Sequence, residues 1–426
     1  MTRPTYLRAK HECWGILRLT ISEFVWLIAI NLLIFQSPMK DVTPFANYFD
    51  EFATVGLLVS SVFVFILRNG KANRLFSNQE LIGLVFLVGF TLVGLLGNYY
   101  SGIQMNVKPI LVDLLACTKF VLVYFSSIVV FDDKHQLYRV LLQEAKFLLI
   151  VMIPFALLNQ FFDFGMRFDR RYGLHSFNFL FKHPSTYSQI LAGILLLLLT
   201  DAGSNKKWIA VCLALISLSL RSTSIAFSAA CIVLLINGVS GKMRLTQLML
   251  IGISVVSFGW GQIQYYFFSI DGGARARLTA VSLEIANRFS PIGSGFATYA
   301  SNITAQPGYY SPLYYQYGLN SVHGLVPGDI SFLSDTFWPI VVGQFGWMGL
   351  ILFIFCLLSL LIGRISFSKN HGASWKIAGL FFIYLLLASA GSPAFFHPNA
   401  VLFTICFALA NGELLACSNT SADDVI

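Results

Sequence analysis

Charge is scarce in this sequence. Only 11% of its 426 residues are charged, 56% are hydrophobic, and the mean hydropathy is +0.72. Because a soluble globular protein carries about 25% charged residues, this class is excluded. The alternating segments of about ten residues that a transmembrane β-barrel requires are also missing. Successive apolar runs of membrane-spanning length predict instead an all-α polytopic membrane protein.

Cysteine and metal-binding patterns are sparse as well. None of the seven cysteines falls in a segment predicted to face outward, so we expect no disulfide framework. No pair of His, Asp or Glu residues shows metal-ligand spacing, which predicts neither a metal site nor a cofactor. The net charge of +8 suits an anionic membrane and gives no reason to expect nucleic acid as a partner.

Twelve apolar segments are predicted to span the membrane, which places both termini on one side. They lie near residues 16–35, 52–67, 80–97, 110–131, 147–162, 186–200, 207–220, 223–238, 247–268, 337–362, 376–391 and 395–411. The first is too long for a signal peptide and is expected to be retained. Seventeen of the 28 Lys and Arg residues fall on the side of the termini and ten on the other side. The positive-inside rule therefore predicts cytoplasmic termini.

Three regions follow from these spans. Residues 1–268 hold the first nine helices with short loops, and residues 337–426 hold the last three and a short cytoplasmic tail. Between them, residues 269–336 form one large outward loop, predicted to contain short helices. A tyrosine-rich run at 309–317 has two open interpretations, as a platform for sugar rings or as an aromatic belt at the membrane interface.

One boundary decides the orientation of the second half. Read as a single helix, residues 208–236 would extend about 43 Å, against a hydrocarbon core of about 30 Å. We therefore expect a break at Arg221-Ser222-Thr223. The two short halves would leave Arg221 recessed below the outer membrane surface, where an unpaired charge costs several kcal/mol.

Arginines are unexpectedly frequent on the outward side. Seven of its ten cations are arginines: Arg167, Arg170, Arg171, Arg221, Arg275, Arg277 and Arg288. The guanidinium group binds phosphate oxygens in a bidentate manner, so this cluster indicates a lipid-linked phosphate or diphosphate ligand. Pairing of these arginines with Asp163, Asp169 and Glu284 is the open structural alternative.

Several short motifs occur in a recognisable order. They are Arg170-Arg171-Tyr172-Gly173, His183-Pro184, Ser219-Leu220-Arg221-Ser222, Pro291-Ile292-Gly293-Ser294-Gly295-Phe296 and Gln344-Phe345-Gly346-Trp347-Met348-Gly349. Together with the late large loop, they make residues 165–365 resemble the O-antigen polymerase and ligase superfamily. The two glycines at 293 and 295 indicate a tight loop at which backbone approaches a ligand. Ligase-type members commonly carry a His-Asn pair eleven residues before the position of Gly346. In this sequence Ser334-Asp335 stands there, so the histidine is replaced.

The resemblance implies a membrane glycosyltransferase of the bacterial inner membrane. It would polymerise undecaprenyl-diphosphate-linked repeat units for O-antigen, capsule or exopolysaccharide, with the large loop in the periplasm. Asp335 or His323 is expected to orient or deprotonate the acceptor hydroxyl. Arg170, Arg171, Arg221, Arg277 and Arg288 are expected to bind the diphosphate. Membrane lipids and the chain-length regulator and flippase of the same pathway are the implied partners. A ligase that transfers finished polymer to lipid A core, and a flippase or other transporter, are the alternatives.

Overall fold

The structure, a computed structural model, describes residues 19–68, 75–235, 273–306, 308–333, 336–368 and 374–423. The span predicted near 247–268 and the candidate Asp335 lie outside these residues. The helices before the large loop are α1 (Ile21–Ile34), α2 (Gln36–Met39), α3 (Phe49–Leu67), α4 (Asn78–Ser101), α5 (Val107–Phe131), α6 (His135–Leu158), α7 (Pro184–Leu199), α8 (Lys206–Ser217) and α9 (Ser222–Leu235). They are followed by α10 (Gly273–Arg288), α11 (Pro312–Gln316), α12 (Trp338–Ser368), α13 (Ser374–Ser389) and α14 (Asn399–Asp423).

Within the described residues, the strands form two small antiparallel hairpins. The first pairs β1 (Arg167–Arg171) with β2 (Leu174–Phe177), and the second pairs β3 (Ala305–Gln306) with β4 (Tyr309–Tyr310). Tyr172 and Gly173 connect β1 to β2, and both have positive φ, at 53° and 81°. This is the two-residue turn whose twist matches an antiparallel hairpin. The motif Arg170-Arg171-Tyr172-Gly173 therefore has a structural explanation as a hairpin turn.

Five helical segments of the described residues are long and apolar enough to cross a membrane. They are Pro44–Leu67, Asn78–Ser101, Val107–Phe131, His135–Leu158 and Trp338–Ser368, and five shorter apolar helices accompany them. Large apolar side chains such as Val59, Phe63 and Val85 are 64–68% exposed on the outside of the bundle. Such a surface suits lipid, in which helices satisfy their own backbone hydrogen bonds. The predicted all-α membrane class is thus supported, and the number of twelve spans and the orientation stay predictions.

Two buried ion pairs tie the bundle helices together. The Arg364 guanidinium of α12 lies 2.7 Å from the Glu80 carboxylate of α4, and both side chains are fully buried. The Tyr124 hydroxyl of α5 donates to the same carboxylate. Lys119 of α5 pairs with Asp50 of α3. Each charge in these pairs has an opposite charge beside it, as burial in a low dielectric requires.

The large loop has a hydrophobic cluster of its own. Its fully buried members include Leu278, Ile285, Tyr299 and Tyr314, and Leu325 is 1% exposed. The Tyr314 hydroxyl accepts a hydrogen bond from the Ala300 amide, at 2.8 Å. This tyrosine of the 309–317 run therefore stabilises the loop core and presents no ring to a ligand. Tyr315 of the same run remains 57% exposed.

The loop docks on α12 through two glycine-containing segments. The Gly295 amide donates to the Gln344 carbonyl at 2.7 Å, and the Met348 amide donates to the Pro291 carbonyl at 3.0 Å. Gly346 interrupts the helical geometry of α12 with φ at 62°. We expected the 291–296 backbone to approach a ligand, whereas it contacts the α12 backbone. The close approach explains both glycine motifs by packing.

Gly293 gives the first testable prediction. Its φ is +75°, and a methyl group added there would overlap the Gly346 backbone nitrogen and come within 2.6 Å of the Gln344 carbonyl oxygen. Gly293→Ala is expected to destabilise the protein by several kcal/mol, from about 1–2 kcal/mol of left-handed strain and the added overlap. Gly102→Ala is the matched control, because Gly102 has φ at +64° and open space around it. Thermal unfolding of both purified variants in detergent measures the difference, and equal losses would contradict the docking argument.

Orientation gives a second prediction, which cysteine labelling can test. Ser321 lies exposed in the large loop, and Ser204 lies exposed in the connection between α7 and α8. With the loop on the outer side, Ser321→Cys should react with an impermeant maleimide in cells whose outer membrane alone is permeabilised. Ser204→Cys should react only after the inner membrane is lysed. The reverse pattern would overturn the predicted topology, and the unsubstituted protein supplies the labelling background of the native cysteines.

Candidate functional site

A cavity of about 250 Å³ lies where several helices begin. Its lining residues are His183, Ser185, Thr186, Ser188, Gln189, Arg221, Thr223, Arg275, Tyr384, Ala388, Gly391, Ser392, Pro393, His397 and Asn399. The volume is slightly below the range of about 300–1,000 Å³ for drug-sized ligands. It suits one polar headgroup better than a whole oligosaccharide.

Four helix N-termini contribute to this lining. Ser185 and Thr186 lie in the first turn of α7, and Thr223 lies in the first turn of α9. Arg275 lies in the first turn of α10, and Asn399 is the first residue of α14. Each helix N-terminus carries backbone N–H groups that lack an intrahelical acceptor and a partial positive charge. Together with two arginines, these helix N-termini give the cavity lining a positive character that suits an anion.

Arg221 lies between α8 and α9, where the sequence predicted a break. α8 ends at Ser217 and α9 begins at Ser222, and the Arg221 carbonyl accepts the first backbone hydrogen bond of α9 from Ile225. The Arg221 side chain is only 17% exposed. Its guanidinium lies 5.1 Å from the centre of the Phe168 ring and 3.7 Å from the Asp169 carboxylate. The predicted break is confirmed, and the charge has defined neighbours.

Asp169 of β1 links the hairpin to this turn. Its carboxylate lies 2.8 Å from the Arg171 guanidinium, accepts a hydrogen bond from the Ser176 hydroxyl, and faces Arg221 on the other side. Burial opposes ionisation, but the Ser176 hydroxyl and the charges of Arg221 and Arg171 together hold the pKa of Asp169 below its ordinary value. Asp169 is thus an anion that fixes the direction of Arg221.

The backbone is strained next to two cavity residues. Leu220 precedes Arg221 with φ at 53°, and Lys182 precedes His183 with φ at 62°. Non-glycine residues seldom adopt such angles, and the cost of each is of order 1–3 kcal/mol. Strain of this kind persists where surrounding contacts fix it, and it concentrates at binding sites.

Arg275 and Arg277 occupy different faces of α10. Two residues correspond to about 200° of rotation on an α-helix, so their side chains point in nearly opposite directions. Arg275 is half-buried and lines the cavity, whereas Arg277 is exposed and outside its lining. Of the five arginines predicted to bind substrate, only Arg221 lines the cavity. Arg275 was not one of these five, and it lines the cavity as well.

The other predicted site residues lie outside the cavity lining. Arg170 is exposed and donates to the Gly173 carbonyl at 3.4 Å, and Arg171 pairs with Asp169. Arg288 is exposed, with its guanidinium 5.2 Å from the centre of the Phe289 ring. The His323 side chain is 85% exposed and lies 3.6 Å from Asp329. Asp335 falls outside the described residues, so its role stays a prediction.

His397 and Gln189 are cavity residues that the sequence analysis did not select. His397 stands in the connection between α13 and α14, far from the large loop in the sequence. Gln189 lies within α7, and nothing in the sequence distinguishes it from an ordinary polar residue in an apolar run. The repeated dipeptide His-Pro, at 183–184 and again at 397–398, was a signal that could have singled out His397.

Two further observations concern metal-ligand groups and similarity to known proteins. Within the part of the chain that the structure describes, no three His, Cys, Asp or Glu side chains are grouped so as to hold a metal ion. Comparison with known proteins identifies no family, because no protein-family model matches the chain and no characterised protein is found as a relative. The cavity therefore has to be interpreted from its own residues.

Proposed function

We propose that this protein is a membrane glycosyltransferase that polymerises undecaprenyl-diphosphate-linked repeat units of a bacterial surface polysaccharide. The reaction would take place at the periplasmic face of the inner membrane. Both the donor and the acceptor would be lipid-linked glycans, and the chain-length regulator and flippase of the pathway would be functional partners. Localisation, orientation and partners are parts of the same proposal.

The observation that supports it is the pair of arginines, Arg221 and Arg275, in a cavity formed by helix N-termini. A diphosphate ester carries several negative charges on oxygens that accept hydrogen bonds from guanidinium and backbone N–H groups. Apolar helices surround the cavity, so a prenyl chain attached to such a headgroup would have lipid beside it. A soluble anion could use the two arginines but would make no use of the neighbouring lipid.

The proposed reaction is a displacement at the anomeric carbon. A hydroxyl oxygen of the acceptor sugar forms a bond to the anomeric carbon of the donor chain, and the bond from that carbon to the diphosphate oxygen breaks. Undecaprenyl diphosphate leaves with the bonding electron pair, and the hydroxyl proton passes to a carboxylate or to water. The two arginines stabilise the negative charge that develops on the leaving oxygen. Asp335 or His323 remains the proposed group for orienting the acceptor hydroxyl.

Deletion of the gene, followed by gel analysis of the surface and lipid-linked glycans, tests this function. A polymerase deletion should leave a single repeat unit on the final acceptor and remove the long-chain ladder. Long polymer that accumulates on the lipid carrier without being transferred would indicate a ligase. Single lipid-linked units trapped on the cytoplasmic side would indicate a flippase. An unchanged glycan pattern would reject all three.

A further inference from the structure

The dipeptide His-Pro begins two neighbouring helices in the same way. His183 precedes Pro184 at the start of α7, and His397 precedes Pro398 immediately before α14. In each case the imidazole Nδ1 accepts the backbone N–H of the residue two positions later, at 3.2 Å in both. α7 and α14 pack against each other, and both imidazoles line the cavity. Two histidines with the same local hydrogen bond therefore line one cavity.

This hydrogen bond favours the neutral form of both rings. A ring nitrogen that accepts an N–H carries no proton, and the neutral imidazole then has its proton on Nε2. A neutral imidazole with a protonated Nε2 is a hydrogen-bond donor. It cannot accept a proton at Nδ1 without giving up this hydrogen bond.

Gln189 is the second observation that points to a ligand. Its side chain is 7% exposed, and its amide nitrogen has no hydrogen-bond partner among the residues that the structure describes. It lines the same cavity as the two imidazoles. A buried N–H group without an acceptor reduces the stability of the folded protein. An oxygen of a bound ligand would supply that acceptor.

We infer that His397, together with His183 and Gln189, forms a wall of uncharged N–H donors that binds the diphosphate oxygens beside Arg221 and Arg275. On this inference the histidines hold the leaving group as donors and do not act as general bases. The identification of the anion as a prenyl diphosphate rests on the proposed function. The proton of the acceptor hydroxyl must then be removed by a group other than these histidines.

Binding of two probes to the full-length protein in detergent tests the inference. The probes are inorganic pyrophosphate and farnesyl diphosphate, measured by calorimetry. His397→Ser keeps a side-chain oxygen that can accept the Asn399 N–H, as serine does in turns, and it removes the Nε2 donor. We expect about a tenfold or larger loss of affinity for both probes, the loss of one hydrogen bond to a charged group, with unchanged thermal stability. His175→Ser, in β2 and outside the cavity lining, should bind as the unsubstituted protein does.

The pH dependence of probe binding distinguishes a neutral imidazole donor from a charged imidazolium or a general base. The ratio of affinities between unsubstituted protein and His397→Ser cancels the titration of the probes themselves, and it should stay flat from pH 5.5 to 8. The charged and titratable groups that face His397 are Lys40, Asp50, Lys119 and His183, with Arg221 and Arg275 in the same cavity lining. A ratio that falls as the pH rises through 6–7 would show that the charged imidazolium binds, and would overturn the inference.

The remaining outcomes distinguish this inference from the proposed function. Unchanged affinity of His397→Ser for both probes overturns the inference, even if gene deletion removes the polymer ladder. An effect on farnesyl diphosphate alone overturns it as well, because the contact would then be to the prenyl end. Gene deletion could leave the glycans unchanged while His397→Ser loses affinity for both probes. The inferred set of N–H donors is then supported, and the polymerase proposal fails.

Discussion

Arg221→Lys is expected to reduce polymer yield about 10- to 100-fold while the amount of protein in the membrane stays unchanged. Lysine keeps the positive charge beside Asp169 and retains a long apolar stem. It lacks the planar fork that binds two phosphate oxygens at once. A hydrogen bond to a charged group contributes about 1.5–3 kcal/mol, and 1.36 kcal/mol corresponds to a tenfold change in rate. Gel analysis of surface glycans, normalised to membrane protein level, measures the effect.

Arg171→Lys is the matched control for this experiment. Arg171 binds the same Asp169 carboxylate but does not line the cavity. Its replacement by lysine should therefore leave polymer length and yield unchanged. If Arg221→Lys also makes normal polymer at normal protein level, Arg221 serves only to anchor the turn between α8 and α9. The diphosphate site would then have to be placed elsewhere.

The helical class and the break at Arg221 could be predicted because both follow from local properties of the chain. An apolar run of span length is recognised by hydropathy alone. The break near Arg221 followed from comparing the length of the run with the thickness of a bilayer. Neither argument needs to know which helices become neighbours.

The composition of the cavity could not be predicted in this way, because it depends on which helices pack together. His183 and His397 are brought to one site by the packing of α7 against α14, and nothing in the sequence states that pairing. The choice between Arg275 and Arg277 met a related limit. The sequence shows that both are arginines on one helix, but it does not show which face of that helix meets the bundle.

The glycine motifs illustrate a second limit of sequence reasoning. Two glycines in 291–296 correctly indicated that backbone comes close to something, because only glycine permits such an approach. The partner is the backbone of α12 around Gly346. A close approach to a ligand and a close approach to another helix leave the same pattern in a sequence, and only the tertiary structure distinguishes them.

Arg275→Gln is expected to reduce polymer yield by about tenfold or more, whereas Arg277→Gln should leave it unchanged. Both substitutions remove one positive charge from α10, and both introduce a residue with good helix propensity. A cation in the first turn of a helix is disfavoured by the helix dipole, so neither change should destabilise α10. The difference between the variants is therefore their position: Arg275 lines the cavity and Arg277 is exposed.

The two variants should be compared in a deletion strain that expresses each at equal level, with glycan gels as the readout. Binding of farnesyl diphosphate to the purified proteins is the second readout, because it reports the anion site without requiring an acceptor. Loss of both signals in Arg275→Gln alone would support the cavity as the diphosphate site. Loss in Arg277→Gln alone would mean that the outer face of α10 binds the substrate. In that case the selection of Arg277 from the sequence was right, and the cavity serves another purpose.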